Sequence, residues 1–116
     1  MSEQIKKIQA TLREFARERD WEQFHSPKNL AAALSVEAAE ILEHFQWMTD
    51  EQSRSLSELK RTDIGEELAD VLLYLLQLSD KLDIDLGQAA EDKLKINAAK
   101  YPVDRAKGKS DKYSEL

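Results

Sequence analysis

Ile64-Gly65-Glu66-Glu67-Leu68-Ala69-Asp70-Val71-Leu72-Leu73-Tyr74-Leu75-Leu76-Gln77-Leu78-Ser79-Asp80-Lys81-Leu82 decides the fold class. Leu68, Val71, Leu72, Leu75, Leu78 and Leu82 recur at spacings of three and four, the period of a helix rather than of a strand. Asp63-x-x-Glu66 has the form of a capping box and sets the expected start near Asp63, with an end near Leu82. Glu67, Asp70 and Tyr74 cluster beside the apolar arc. Leu73 points almost opposite Leu68, so Val71 to Leu76 is apolar nearly all round. A helix of that kind must be covered on every side. One short chain can hardly do this, and a homo-oligomer with this helix at its centre is predicted.

The same device recurs upstream. Ser26-Pro27 is a strong helix start, Ser as N-cap and Pro at the first position. From there to about Trp47, Leu30, Leu34, Ala38, Ile41, Leu42 and Phe45 fall within one apolar arc. Glu37 lies just outside it and Glu40 further round, with Trp47 close to the direction of Glu40 if the helix persists that far. Two helices therefore each carry an acid pair at the margin of a packed face: Glu37-x-x-Glu40 and Glu67-x-x-Asp70. Packed side by side, they bring four carboxylates together. Such a cluster repels itself and is desolvated unless cations relieve it. Oxygen-only ligands suit Mg²⁺ or Mn²⁺, and Mg²⁺ shares its shell readily with phosphates. Taken singly, either pair is an ordinary solvated helix edge; the match between two helices raises the metal reading. A ferritin-like di-iron site is disfavoured, because it needs Glu-x-x-His pairs. His44 follows Glu40 by four residues, and the later helix has no histidine.

Outward from these two helices the chain stays helical. Ile5, Ile8, Leu12 and Phe15 form one stripe on a first helix from near Ser2 to Arg19. Asp20 to Ser26 is a connection carrying Trp21, Phe24 and His25, unusual cargo for a linker. Thr49-x-x-Gln52 is a capping box opening a short polar helix to about Lys60, and Asp85-x-x-Gln88 repeats it for a last helix ending near Tyr101, before Pro102. The expected architecture is all-α, four main helices plus a short one, in a bundle. Residues 1–102 form the domain, and 103–116 read as a flexible charged tail without periodicity.

Composition narrows the function. The chain has 116 residues, room for one domain. Its 34% charged and 41% hydrophobic content is that of a globular protein, and three Gly and two Pro leave long helices uninterrupted. The net charge of −6 argues against sequence-independent nucleic-acid binding, which needs basic surface. A polyphosphate is still accessible if metal ions bring the positive charge. The absence of cysteine excludes disulfides, thiolate zinc sites and cysteine nucleophiles. No apolar run is long enough to span a bilayer, and no signal peptide is evident, so the expectation is a cytoplasmic protein.

The spaced acids and the words around them resemble the MazG-like, all-α nucleoside triphosphate pyrophosphohydrolases. Glu37-x-x-Glu40, 26 intervening residues, then Glu67-x-x-Asp70 has the form of that family's acidic signature. Phe-His-Ser-Pro-Lys-Asn-Leu at 24–30, Phe-Gln-Trp at 45–47, Glu-Leu-Ala-Asp-Val-Leu-Leu-Tyr at 67–74 and Lys-x-x-x-Asn-x-x-Lys-Tyr-Pro at 93–102 are similar too, in the same order. The nearest subgroup looks like the dCTP pyrophosphatases and integron-associated MazG proteins. The resemblance implies a MazG-like bundle in a dimer or dimer of dimers, with sites that two chains can line. It implies Mg²⁺, with Mn²⁺ as a substitute, held by Glu37, Glu40, Glu67 and Asp70, and cleavage between the α and β phosphates of a nucleoside triphosphate. An aromatic base pocket would use Trp21, His25, Trp47 and Tyr74. Lys93, Asn97 and Lys100, which share one helix face, would grip phosphates. Some relatives have Gly where this chain has Val36 and Ala39, which bears on substrate preference. Glu40 and Glu43 are both candidates for the general base. The competing readings are a non-enzymatic helical adaptor, and a related dUTP or phosphoribosyl-ATP hydrolase.

Overall fold

The computed structural model describes residues 1–116 and contains helices joined by turns, with no strand. Four long helices make the frame: α1 (Glu3–Glu18), α2 (Pro27–Phe45), α4 (Glu58–Lys81) and α5 (Leu86–Lys100). Two single turns, α3 (Asp50–Ser53) and α6 (Val103–Ala106), and 3₁₀ turns at Glu22–Phe24 and Tyr113–Glu115 complete the chain. The expected all-α architecture is therefore present. No helix is long and apolar enough to cross a membrane.

The helix starts follow their capping residues. Ser2, Ser26, Thr49, Ser57 and Asp85 each accept a hydrogen bond from the backbone N–H three residues on. Thr49 and Gln52 form the full reciprocal box. One start differs from the expectation. The helix read from Asp63 begins at Glu58, and the short polar helix ends at Ser53 instead of about Lys60. Ser57 Oγ accepts from Lys60 N at 3.2 Å and captures the start. Asp63-x-x-Glu66 then lies inside a running helix, where the N–H of Glu66 already has a backbone partner. α2 likewise stops at Phe45, which leaves Trp47 in the turn beyond it.

Two helix ends share one geometry. Asp20 and Asp83 both sit at positive φ, 54° and 53°. The following residues fold back: Trp21 N donates to Ala16 O and Ile84 N to Ser79 O, each at 2.9 Å. This is a Schellman closure with aspartate in the place glycine usually takes. Its effect at the end of α1 is to pin Trp21 against the helix it follows.

Packing is concentrated between α2 and α4, and α1 lies on α4. Leu30, Ile64, Leu76 and Ala16 are the buried apolar side chains. A polar clip joins α1 to α4 within this layer. Gln9 is buried, and its Nε2 donates to Leu76 O at 3.1 Å and Ser79 Oγ at 3.3 Å. One turn on, Arg13 Nη1 donates to both carboxylate oxygens of Asp80, at 2.9 and 2.8 Å.

The expected apolar arcs are only partly used. Leu42, Leu68, Leu72 and Leu82 are exposed, as are Leu94 and Ile96 on α5, a helix with no buried residue. The radius of gyration is 17.8 Å, against about 13 Å for a compact domain of this length. The accessible surface is 9101 Å², where roughly 6,450 Å² is usual for a monomer of this mass. The segment after Pro102 carries the α6 turn and ends with Tyr113 edge-on to Tyr101, ring centres 6.1 Å apart.

Candidate active site

Glu37 and Glu40 stand one turn apart on α2, Glu67 and Asp70 one turn apart on α4, and the seam between these helices runs through them. Carboxylate oxygens of Glu37, Glu67 and Asp70 lie within 4.8 Å of one another. Glu40 stands against both Glu37 and Glu67. That contact, burial, and the charges of Glu40, Asp70 and Glu67 push the Glu37 carboxyl up to about 7. Glu67 is raised for the same reasons, contact with Glu40 first, while His44 opposes the shift. His44 Nε2 lies 4.0 Å from Glu67 Oε1 and is largely covered.

Oε2 of Glu37 and Oε2 of Glu67 are both buried and make no hydrogen bond. Buried carboxylate oxygens without partners are expensive. A divalent cation between α2 and α4 would satisfy both. The donors around them are carboxylate oxygens, the set that suits Mg²⁺ or Mn²⁺ rather than a thiophilic or imidazole-seeking metal. The residues present fit such an ion.

Beside the acids opens a cavity of about 280 Å³, between α1, the Trp21–His25 segment and α4. Its walls include Leu12, Phe15, Trp21, His25, Asp70 and Tyr74. Trp21 stands edge-on to Phe15, centres 5.7 Å apart, and His25 edge-on to Trp21 at 6.3 Å. Arg19 caps the outer face of Phe15, its guanidinium 3.5 Å from the ring centre. The Schellman closure sets Trp21, and Ser26 with its bond from Asn29 N at 3.1 Å fixes the helix start directly after His25. The size lies just under the roughly 300–1,000 Å³ usual for small-molecule pockets, room for a ring rather than a whole nucleotide. Asp70 belongs to both features: one of the clustered acids and part of the aromatic wall.

Of the residues singled out in the sequence, the fold brings together Glu37, Glu40, Glu67, Asp70, Trp21, His25 and Tyr74. Trp47 stands apart, 89% exposed. Lys93, Asn97 and Lys100 are exposed on α5, and the Lys100 ammonium lies 4.8 Å over the Tyr113 ring. Phe15, on the apolar stripe of α1, is 44% exposed and walls the cavity. Its helical stripe gave no sign of this, because the ring that makes it a wall belongs to the following connection.

A family model described as MazG-like matches residues 32–116. Human dCTP pyrophosphatase 1 is 45% identical over 98% of this chain, and the bovine protein 43% over 98%. The chain spans about two thirds of their length, 66% and 67%. Among solved structures, a pyrophosphatase from Archaeoglobus fulgidus matches 88% of this chain and 95% of its own, with a TM-score of 0.81 and 39% identity.

Proposed function

The chain belongs to the MazG-like family, and from that premise we propose that it is a Mg²⁺-dependent nucleoside triphosphate pyrophosphohydrolase. It cleaves between the α and β phosphates, releases monophosphate and pyrophosphate, and favours dCTP-like substrates. The observation that carries the reading is the position of Asp70. A ring in the aromatic cavity and a polyphosphate at the acids would be two ends of one ligand, meeting at this residue. Relatives that bear the name dCTP pyrophosphatase support the choice of base.

Glu37, Glu67 and Asp70 would hold the metal, with Glu40 beside them. Bound Mg²⁺ would neutralise phosphate charge and position the reacting group, which is most of what phosphoryl chemistry requires. Trp21 and Tyr74 offer faces on which a base can stack, and His25 can hydrogen-bond its edge. Glu40 lies outside the tightest acid group but touches two of its members. We assign it the proton of the attacking water, in preference to Glu43, which is exposed.

The phosphate grip needs a second chain. Lys93, Asn97 and Lys100 stand on a helix without a buried residue, and the exposed leucines of α2 and α4 need cover. A homodimer or tetramer that closes over α4 would meet both needs and would bring α5, and Trp47, to a neighbouring site. The working compartment in this reading is the cytoplasm and the task is clearing nucleotides from the pool.

Product analysis by ³¹P NMR tests the proposal. Purified protein with Mg²⁺ and a panel of nucleoside triphosphates should give pyrophosphate and monophosphate, fastest from dCTP, and nothing after chelation. Inorganic phosphate with diphosphate would place the cleavage at the wrong bond, and no product from any nucleotide would remove the enzymatic reading.

A further inference from the structure

One turn beyond Tyr74 on α4, Gln77 lines the same cavity and is half-buried. Leu12, Phe15, Ala16 and Leu73 share that wall, and Gln77 also borders the adjoining cleft of Gln9, Arg13 and Asp80. Gln77 is not needed to hold the metal or to take a proton. Its Nε2 donates to Leu73 O, four residues back, at 3.3 Å. The bond is long, but it gives the amide a preferred sense. Turned over, Oε1 would face a carbonyl oxygen, acceptor against acceptor. In the preferred sense the amide nitrogen is held at Leu73 O, and Oε1 is left to accept from a ligand.

Stacking does not tell bases apart, because every base has a similar π-face. Their edges differ. Cytosine carries an exocyclic amine that donates, where thymine or uracil carries a carbonyl oxygen that accepts. A polar group fixed in one sense is costly to leave opposite the wrong partner. We infer that Gln77 is the specificity-determining residue of this pocket, Oε1 accepting a hydrogen bond from the 4-amino group of a cytosine ring. This deepens the proposed hydrolysis and rests on it.

The test is kcat/KM for dCTP and dUTP with Mg²⁺, measured for the unaltered protein, Gln77→Leu and Gln77→Glu. The unaltered protein should favour dCTP. Gln77→Leu, which keeps bulk and removes both polar atoms, should lower the dCTP/dUTP ratio by about 10- to 100-fold. Gln77→Glu loses the bond to Leu73 O but still offers the base only acceptor oxygens, so it should keep a dCTP preference even where overall activity falls, and it serves as the deciding variant if the leucine form fails to fold. Equal losses on both nucleotides in either variant would overturn the assignment, as would an unaltered protein that cleaves both alike while still releasing pyrophosphate. Absence of pyrophosphate from both nucleotides with the unaltered protein would fell the hydrolase reading, and this one with it.

Discussion

Glu37 on α2 and Glu67 on α4 each bury one carboxylate oxygen, Oε2, without a hydrogen-bond partner, and their carboxylates approach within 4.8 Å. Two acids so placed cannot both be charged at low cost unless a cation joins them. Glu40 beside it, then burial and the charges of Asp70 and Glu67, raise the Glu37 carboxyl from its ordinary 4.5 to about 7.

That shift predicts a pH dependence with a definite sign. A carboxyl that titrates higher in the folded chain holds its proton more tightly there than in the unfolded chain. Its contribution to stability is full below 4.5 and lost as pH rises through about 7. Without metal, the melting temperature should fall between about pH 5 and pH 8. Mg²⁺ should cancel the fall, bind more tightly as pH passes through about 7, and displace protons that calorimetry in buffers of different ionisation enthalpy can count. A metal-free melting temperature that climbs over this range would contradict the geometry.

Glu67→Gln should lower turnover by more than about 100-fold, beyond the usual loss for an outer-sphere partner of a metal. The same variant should melt higher than the unaltered chain in chelator, because it removes a repelling charge from the cluster. Thermal melts with and without Mg²⁺ check both halves. An adaptor protein would show the second effect with no activity to lose.

Gln9 joins α1 to α4 through two buried bonds, to Leu76 O and Ser79 Oγ. Gln9→Ala should cost about 1–3 kcal/mol in urea unfolding, the usual range for stripping a buried polar partner. Arg13→Met, which removes the more exposed pairing with Asp80, should cost less than about 1 kcal/mol. Equal effects would mean that the surface pair holds α1 as firmly as the buried amide does.

Trp47→Ala separates stability from binding. With 89% of the residue exposed, the folded protomer should lose no more than about 0.5 kcal/mol. If a neighbouring site uses the ring, KM should rise about tenfold, the worth of one stacked base. Unchanged KM with changed sedimentation would make it an assembly contact alone.

Ser57→Ala should destabilise by about 1 kcal/mol and Asp63→Ala by much less, since only Ser57 caps α4. Helix content by circular dichroism and urea midpoints would check this order.

The acids were readable in the sequence because helical period alone places Glu37 and Glu40, or Glu67 and Asp70, on one side of their helices. Capping chemistry made the starts at Ser26, Thr49 and Asp85 equally readable. It failed at Asp63, where a box-like pattern sits inside a helix that Ser57 had already opened; local pattern cannot say which of two signals nucleates first. The packed seam was harder. Leu42, Leu68 and Leu72 looked like core by period, yet they are exposed and the α2–α4 contact passes by the acids. An apolar arc records that something will cover it, not which chain. The wall made by Phe15 and Gln77 was hidden for a different reason, since it exists only once Trp21 has folded back over α1.

In the homo-oligomer proposed above, the scarcity of internal burial would make concentration part of this protein's stability. Leu30, Leu76, Ile64 and Ala16 are the apolar side chains a protomer buries by itself, too little to hold four long helices against chain entropy. If a second copy covers the remaining leucines, folding and association are one mass-action equilibrium. The melting temperature then climbs with protein concentration, and dilution yields unfolded chains, not free folded protomers. Enzyme assayed at nanomolar levels would lose activity with time unless metal or nucleotide holds the assembled form.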